Sequence, residues 1–140
     1  MGRLHTLSGD ILLGERASTS RYAPAALGHH AWYRDDSQSY PDTYRRDQCP
    51  ARRMVDVISL VDWMEVRLNS AHTYRLEAKP FDQVVREAIS LGGTRFSPRL
   101  TGLLRDGKTA QRLRDALEAA GSNAYRRMYE DALKLEERPK

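Results

Sequence analysis

Residues 51–69 read ARRMVDVISLVDWMEVRLN, and the spacing within this stretch decides the fold class. Met54, Val57, Ile58, Val61, Glu65 and Leu68 fall at three- and four-residue intervals, which align along one stripe of an α-helix. The stretch therefore predicts a helix from Ala51 to about Asn69, buried along much of its length. Asp62 lies beside the stripe, between Val61 and Trp63. A carboxylate among apolar neighbours is costly to bury unless a cation or hydrogen bonds compensate it. Asp62 is thus either a ligand for a cation or a solvent-facing acid on an amphipathic helix, and its neighbours favour neither.

The same period recurs on both sides. A first helix is expected from Leu4 to Glu15 and a second from Ala23 to Trp32, with Pro24 in its first turn, where a missing N–H is harmless. Next comes RDDSQSYPDTYRRDQCP, residues 34–50, with two prolines and almost no aliphatic side chains. It predicts a long loop, and loops of this length in small domains tend to carry function. A short loop, SAHTYRLEAK, leads to a helix starting at Pro80, with Phe81, Val84, Val85, Ala88 and Ile89 on one face and Gly92 and Gly93 at its end. Ser97 and Pro98 read as the N-cap and first-turn proline of a helix containing Leu100, Leu103 and Leu104, which Gly107 is expected to stop. Two further helices follow, one with Leu113, Ala116, Leu117 and Ala120, the other with Tyr125, Met128, Tyr129 and Ala132. Strand signals are nearly absent. The expectation is an all-α bundle of about six to seven helices, with residues 1–107 as its main unit and 108–140 as a helical extension packed on it.

At 140 residues the chain has room for one domain with a modest core. Its 40% apolar and 30% charged content is that of a globular protein leaning polar. No apolar run approaches the roughly 20 residues needed to span a bilayer, so no membrane insertion is expected. The apolar part of MGRLHTLSGDILLGERAS is too short for a convincing signal peptide, and the single cysteine, Cys49, can form no internal disulfide. A cytoplasmic location is the default expectation. The net charge of +4, with Arg45, Arg46, Arg52 and Arg53 around one loop, invites a phosphate or nucleic-acid reading. Arginine clusters are more often solvated surface, so nucleic acid ranks last among the partners.

His29 and His30 stand side by side at the expected end of the second helix. Neighbouring helical residues point roughly 100° apart, so two at a helix end can address one ion or two ions of one cluster. A lone His-His pair usually marks an ordinary helix end. The order around this one gives it weight. His5 and Gly9 come before it, then Tyr40-Pro41 in the loop, VDVISLVD ending at Asp62, Thr73-Tyr74-Arg75, and GGTRFSPRL at 92–100.

This series resembles the C-terminal two thirds of an HD-GYP domain, a branch of the HD phosphohydrolase superfamily, over roughly Leu4 to Leu104. The family pattern is a His-Pro-x-x-Gly helix, a His-His-Glu then Asp-Gly-x-Gly-Tyr-Pro stretch, an Ala-Asp-x-x-Asp-Ala helix, an Arg-Pro-Tyr-Arg loop and a Gly-Thr-x-Phe-Asp-Pro turn. The resemblance implies an HD-domain-like helical bundle that binds two or three metal ions and hydrolyses cyclic dinucleotides, most often cyclic di-GMP, in signalling. It places His5, His29, His30 and Asp62 on metal-ligand positions and Tyr40, Pro41, Tyr74 and Arg75 on substrate-binding ones. Imidazole and carboxylate ligands suit iron, manganese or zinc, and a metal-bridging hydroxide would attack phosphorus.

The departures from the pattern set the remaining expectations. The family's His-Asp doublet and a nearby Lys lie upstream of the His5 position, and only four residues precede His5 here, so the helices carrying them are expected to be missing. Asp10, five residues on from His5, faces elsewhere on the helix and does not replace the lost acid. Ala31 stands for the Glu after the histidine pair, Ser39 for the Gly of Gly-Tyr-Pro, Glu65 for the second helix Asp, and His72-Thr73 for Arg-Pro. Little or no hydrolysis is therefore expected of this chain, and the histidines alone would form a single-metal site resembling the three-His sites of some zinc enzymes. The alternative is a non-catalytic nucleotide-binding or protein-interaction module. Homodimer formation through the helices beyond Leu104 is left open, and Cys49, with no base near it in sequence, reads as a bystander.

Overall fold

In the computed structural model the described residues are 4–34, 40–41, 44–68 and 78–119. They form six α-helices: α1 (Leu4–Gly14), α2 (Ala23–Gly28), α3 (Arg52–Leu68), α4 (Phe81–Ser90), α5 (Pro98–Leu103) and α6 (residues 107–119), with single 3-10 turns at Ser20–Tyr22 and Arg46–Gln48. The fold is all-α, and among the described residues the only strand-like pairing is an isolated bridge between Gly92 and Phe96. None of these helices is long and apolar enough to cross a membrane. The expected helix around Tyr125 and Met128 lies outside the described residues, as does most of the loop at 70–79.

Helix α3 is the central element, but it buries a different face from the one expected. Val55, Ser59, Leu60, Trp63 and Met64 point inward, while Val57, Ile58 and Val61 are 45, 38 and 37% exposed. The helix is apolar on both sides, so period alone does not choose between them. Size does, because Trp63 and Met64 are the side chains large enough to fill the space over α4. Two apolar clusters meet along α3. Leu60, Trp63 and Met64 pack with Val84 and Ala88 of α4, Phe96 and Leu104, and Val55 packs with Ala25, Tyr44 and Cys49. Met64 and Val84 are fully buried, and burial of each contributes on the order of 1.5–3 kcal/mol.

The turn after α4 is tightly wound. The Leu91 carbonyl accepts from the N–H groups of Thr94, Arg95 and Phe96 at 3.1–3.2 Å, and the Gly93 N–H donates to the Phe96 carbonyl at 2.8 Å. Gly93 has φ +85°, a left-handed conformation that a side chain would strain. Ser97 occupies the N-cap position of α5, as expected, yet its side chain makes no capping bond. Gly107 does not stop that helix. It opens α6, because Asp106 caps the next turn by accepting from the Thr109 N–H at 2.9 Å and the Thr109 hydroxyl at 2.7 Å. Those bonds hold the Asp106 carboxyl below its ordinary range. Leu113 of α6 then packs against the larger cluster, and Arg114 reaches Asp82 of α4 at 2.6 Å.

The loop before α3 is pinned by a two-pronged ion pair, with Arg46 Nη2 2.5 Å from Asp56 Oδ2 and Nε 3.1 Å from Oδ1. The Arg46 guanidinium also lies 4.2 Å from the centre of the Tyr33 ring. Both partners are partly buried, so Asp56→Ala is expected to cost about 1–2 kcal/mol, below the 3–5 kcal/mol of a fully buried pair. Urea melts check this. In an Arg46→Met background the same change costs less, because the lost bonds are already gone.

Candidate metal centre

Two helices and the turn after the second bring the histidines together. His5 lies in the first turn of α1, and Gly9, one turn further on the same face, lets α1 approach α2: a Cβ at position 9 would sit 3.0 Å from the Cβ of Ala26. Helix α2 is short and ends where His29 caps it, the His29 N–H donating to the Ala25 carbonyl at 3.2 Å. His30 follows in the turn. Gly28 is needed here, since a Cβ on it would come 2.5 Å from the Tyr44 ring.

The rings converge through their Nε2 atoms. His5 Nε2 is 3.0 Å from His30 Nε2 and 3.3 Å from His29 Nε2, and one ligand atom from each residue lies within 4.8 Å of the others. Zinc–nitrogen bonds of about 2.0–2.1 Å in a tetrahedron give N···N edges of about 3.3–3.4 Å, close to the two observed. Hydrogen bonding alone serves this arrangement badly. His29 Nδ1 faces the Ala26 carbonyl at 2.8 Å and must carry the proton there, which leaves the His29 Nε2 of a neutral ring with only a lone pair. His5 Nε2, with at most one proton, then faces two other nitrogens. A shared cation satisfies all three lone pairs, and a ring whose Nδ1–H is held by a backbone carbonyl is the usual support for a metal-binding histidine.

The electrostatics keep one candidate ligand neutral. Burial, followed by the charges of His29, His5 and Arg95, pulls the His30 pKa down from 6.5 to about 4. The ring is therefore neutral at physiological pH, the state a metal requires. In metal-free protein the unfolded chain takes up a proton near pH 6.5 that folded His30 refuses until about pH 4, so this group's contribution is complete above pH 6.5 and is lost as pH falls toward 4. The ring is only half-buried, so solvent screening keeps the effect modest. Urea midpoints at pH 7 and pH 5 test this, with His30→Gln expected to show the flatter dependence.

Of the other sequence candidates, Tyr40 is at the site: its ring stacks on His30, with centroids 4.7 Å apart and planes 17° from parallel. Pro41 follows it through a cis peptide bond. Asp62, on α3, is partly exposed and does not join the three-nitrogen set, though its charge is felt by Arg95. Tyr74 and Arg75 lie outside the described residues. Cys49 is buried beneath Tyr44 in the smaller cluster. Arg95 and Trp32 carry no marker in the sequence beyond Arg95's place at the variable position of the GGTRFSPRL motif. No protein-family model, curated protein or solved structure matches the chain.

Proposed function

We propose that His5, His29 and His30 hold one divalent transition metal, zinc, manganese or iron, in an HD-GYP-type module that engages the phosphodiester of a cyclic dinucleotide. The convergence of three Nε2 atoms carries the metal part of this reading. The cyclic dinucleotide rests on the motif series, and Tyr40, flat against His30, supports it by offering an aromatic surface beside the ligands. When bound, the metal supplies positive charge to phosphoryl oxygens and acidifies water.

Among the described residues the ligand set is a single group of three, whereas hydrolysis in the family is implied to use a multinuclear cluster. Binding with little or no turnover follows, which also favours the reading as a non-catalytic nucleotide-binding module. The test is calorimetry and product analysis with metal-loaded full chain and cyclic di-GMP. Saturable binding with turnover well below about one per second is expected. Turnover at or above about that rate overturns the non-catalytic part, and absence of binding overturns the nucleotide assignment.

A further inference from the structure

The turn after α4 carries a cation beside the segment that follows the histidine pair. Arg95 is half-buried, with Cζ 5.4 Å from the centre of the Trp32 ring and 5.6 Å from that of Phe96, so two aromatic side chains flank it. Main-chain bonds fix its position relative to the segment after the histidine pair. The Tyr33 N–H donates to the Arg95 carbonyl and the Arg34 N–H to the Thr94 carbonyl, each at 2.9 Å. The guanidinium lies against Trp32, two residues beyond His30, and its charge is felt by His30.

Arg95 differs from the neighbouring cation, Arg67. The Arg67 guanidinium stacks 3.8 Å over Trp63, donates Nη1 to the Trp63 carbonyl at 3.3 Å and lies 3.9 Å from Glu87. Among the described residues no carboxylate comes within ion-pair distance of Arg95. Burial, and after it the Arg67 charge, push its pKa down against the opposing charges of Tyr40 and Asp62. A half-buried guanidinium beside a second cation is stabilised by an anion, and its planar fork fits two oxygens of a phosphate.

We propose that Arg95 positions a phosphate group at the three-histidine centre, its guanidinium donating to one phosphate oxygen while another faces the metal. This rests on the metal reading above. The pairing of a fixed arginine fork with a divalent ion is a general solution for holding phosphoryl oxygens. Trp32 and Phe96 keep the fork in place, so the arginine acts by orienting the anion.

The test uses zinc-loaded full chain, with inorganic phosphate and cyclic di-GMP as separate probes, in wild type, Arg95→Met and Arg95→Lys. Methionine keeps a long stem between Trp32 and Phe96 and removes the charge. Equal zinc uptake is expected in all three proteins, with both probes bound at least about tenfold more weakly by Arg95→Met. Lysine, a point charge without the fork, recovers part of that loss. Equal probe affinities in wild type and Arg95→Met overturn the proposal and leave the metal reading standing. Weakened cyclic di-GMP binding with unchanged phosphate binding also overturns it, since the loss then belongs to the base or ribose. So does loss of zinc from Arg95→Met, which marks a structural role. Absence of zinc uptake by wild type overturns the metal reading instead, and the role of Arg95 is then decided on metal-free protein by the same comparison of phosphate affinities.

Discussion

His30→Ala purified without chelator is expected to carry less than about a tenth of an equivalent of zinc, manganese or iron per chain, against about one for wild type. His30 is the best-supported of the three candidate ligands. Burial keeps its ring neutral down to about pH 4, Tyr40 stacks on one face, and its Nε2 makes the shortest of the contacts within the cluster, 3.0 Å to His5. Removing an outer residue that merely orients a ligand costs about 10–100-fold in affinity. Deleting the ligand itself, with only two histidines left, is expected to exceed that and to empty the site at micromolar metal. His5→Ala should behave alike if α1 stays docked, and the close approach of Gly9 to Ala26 does not involve the ring. Asp62→Asn should leave metal uptake unchanged, because Asp62 stands outside the set of converging nitrogens. Elemental analysis of the four proteins decides the matter: a wild-type metal content below about a tenth of an equivalent would falsify the three-histidine reading.

The histidines were legible in the sequence because they follow the order of a family pattern, His5 with Gly9 four residues on and then His29-His30 at a helix end. The helical fold was legible because apolar residues recurred at the helical period in nearly every segment. The face of α3 that turns inward was not. Met54, Val57, Ile58 and Val61 form as good a stripe as Val55, Leu60, Trp63 and Met64, and only the bulk of Trp63 against Phe96 separates them. Gly107 misled because a glycine after an apolar run is a stop signal only when no cap follows. Here Asp106 and Thr109 start a new helix across it. Arg95 is not legible in the sequence for a different reason. Its meaning comes from Trp32 and His30, more than sixty positions away in the chain, and no local pattern announces a pairing that the fold alone creates.

Phe96→Ala is expected to lower the stability of the whole domain by about 3–5 kcal/mol, a large part of the 5–15 kcal/mol that holds a typical domain together. Phe96 is 2% exposed and meets Trp63 edge to face, with ring centroids 5.2 Å apart and planes 69° apart. It packs in one cluster with Leu60 and Met64 of α3, Val84 and Ala88 of α4, and Leu104. Removing the ring therefore opens a void where α3, α4 and the turn before α5 meet. Those neighbours cannot close it cheaply, because the turn is held by the Gly93–Phe96 main-chain bond and by three donors on the Leu91 carbonyl. The urea midpoint should fall with an unchanged slope, since the surface exposed on unfolding is nearly the same. Phe96→Leu, which leaves a smaller void, should recover most of the loss. The site should also respond, because Phe96 is the next residue to Arg95 and flanks its guanidinium. In conditions where Phe96→Ala remains folded, metal uptake should persist while phosphate binding weakens. Stability within about 1 kcal/mol of wild type for Phe96→Ala would show that the packing at this junction is looser than the buried ring implies.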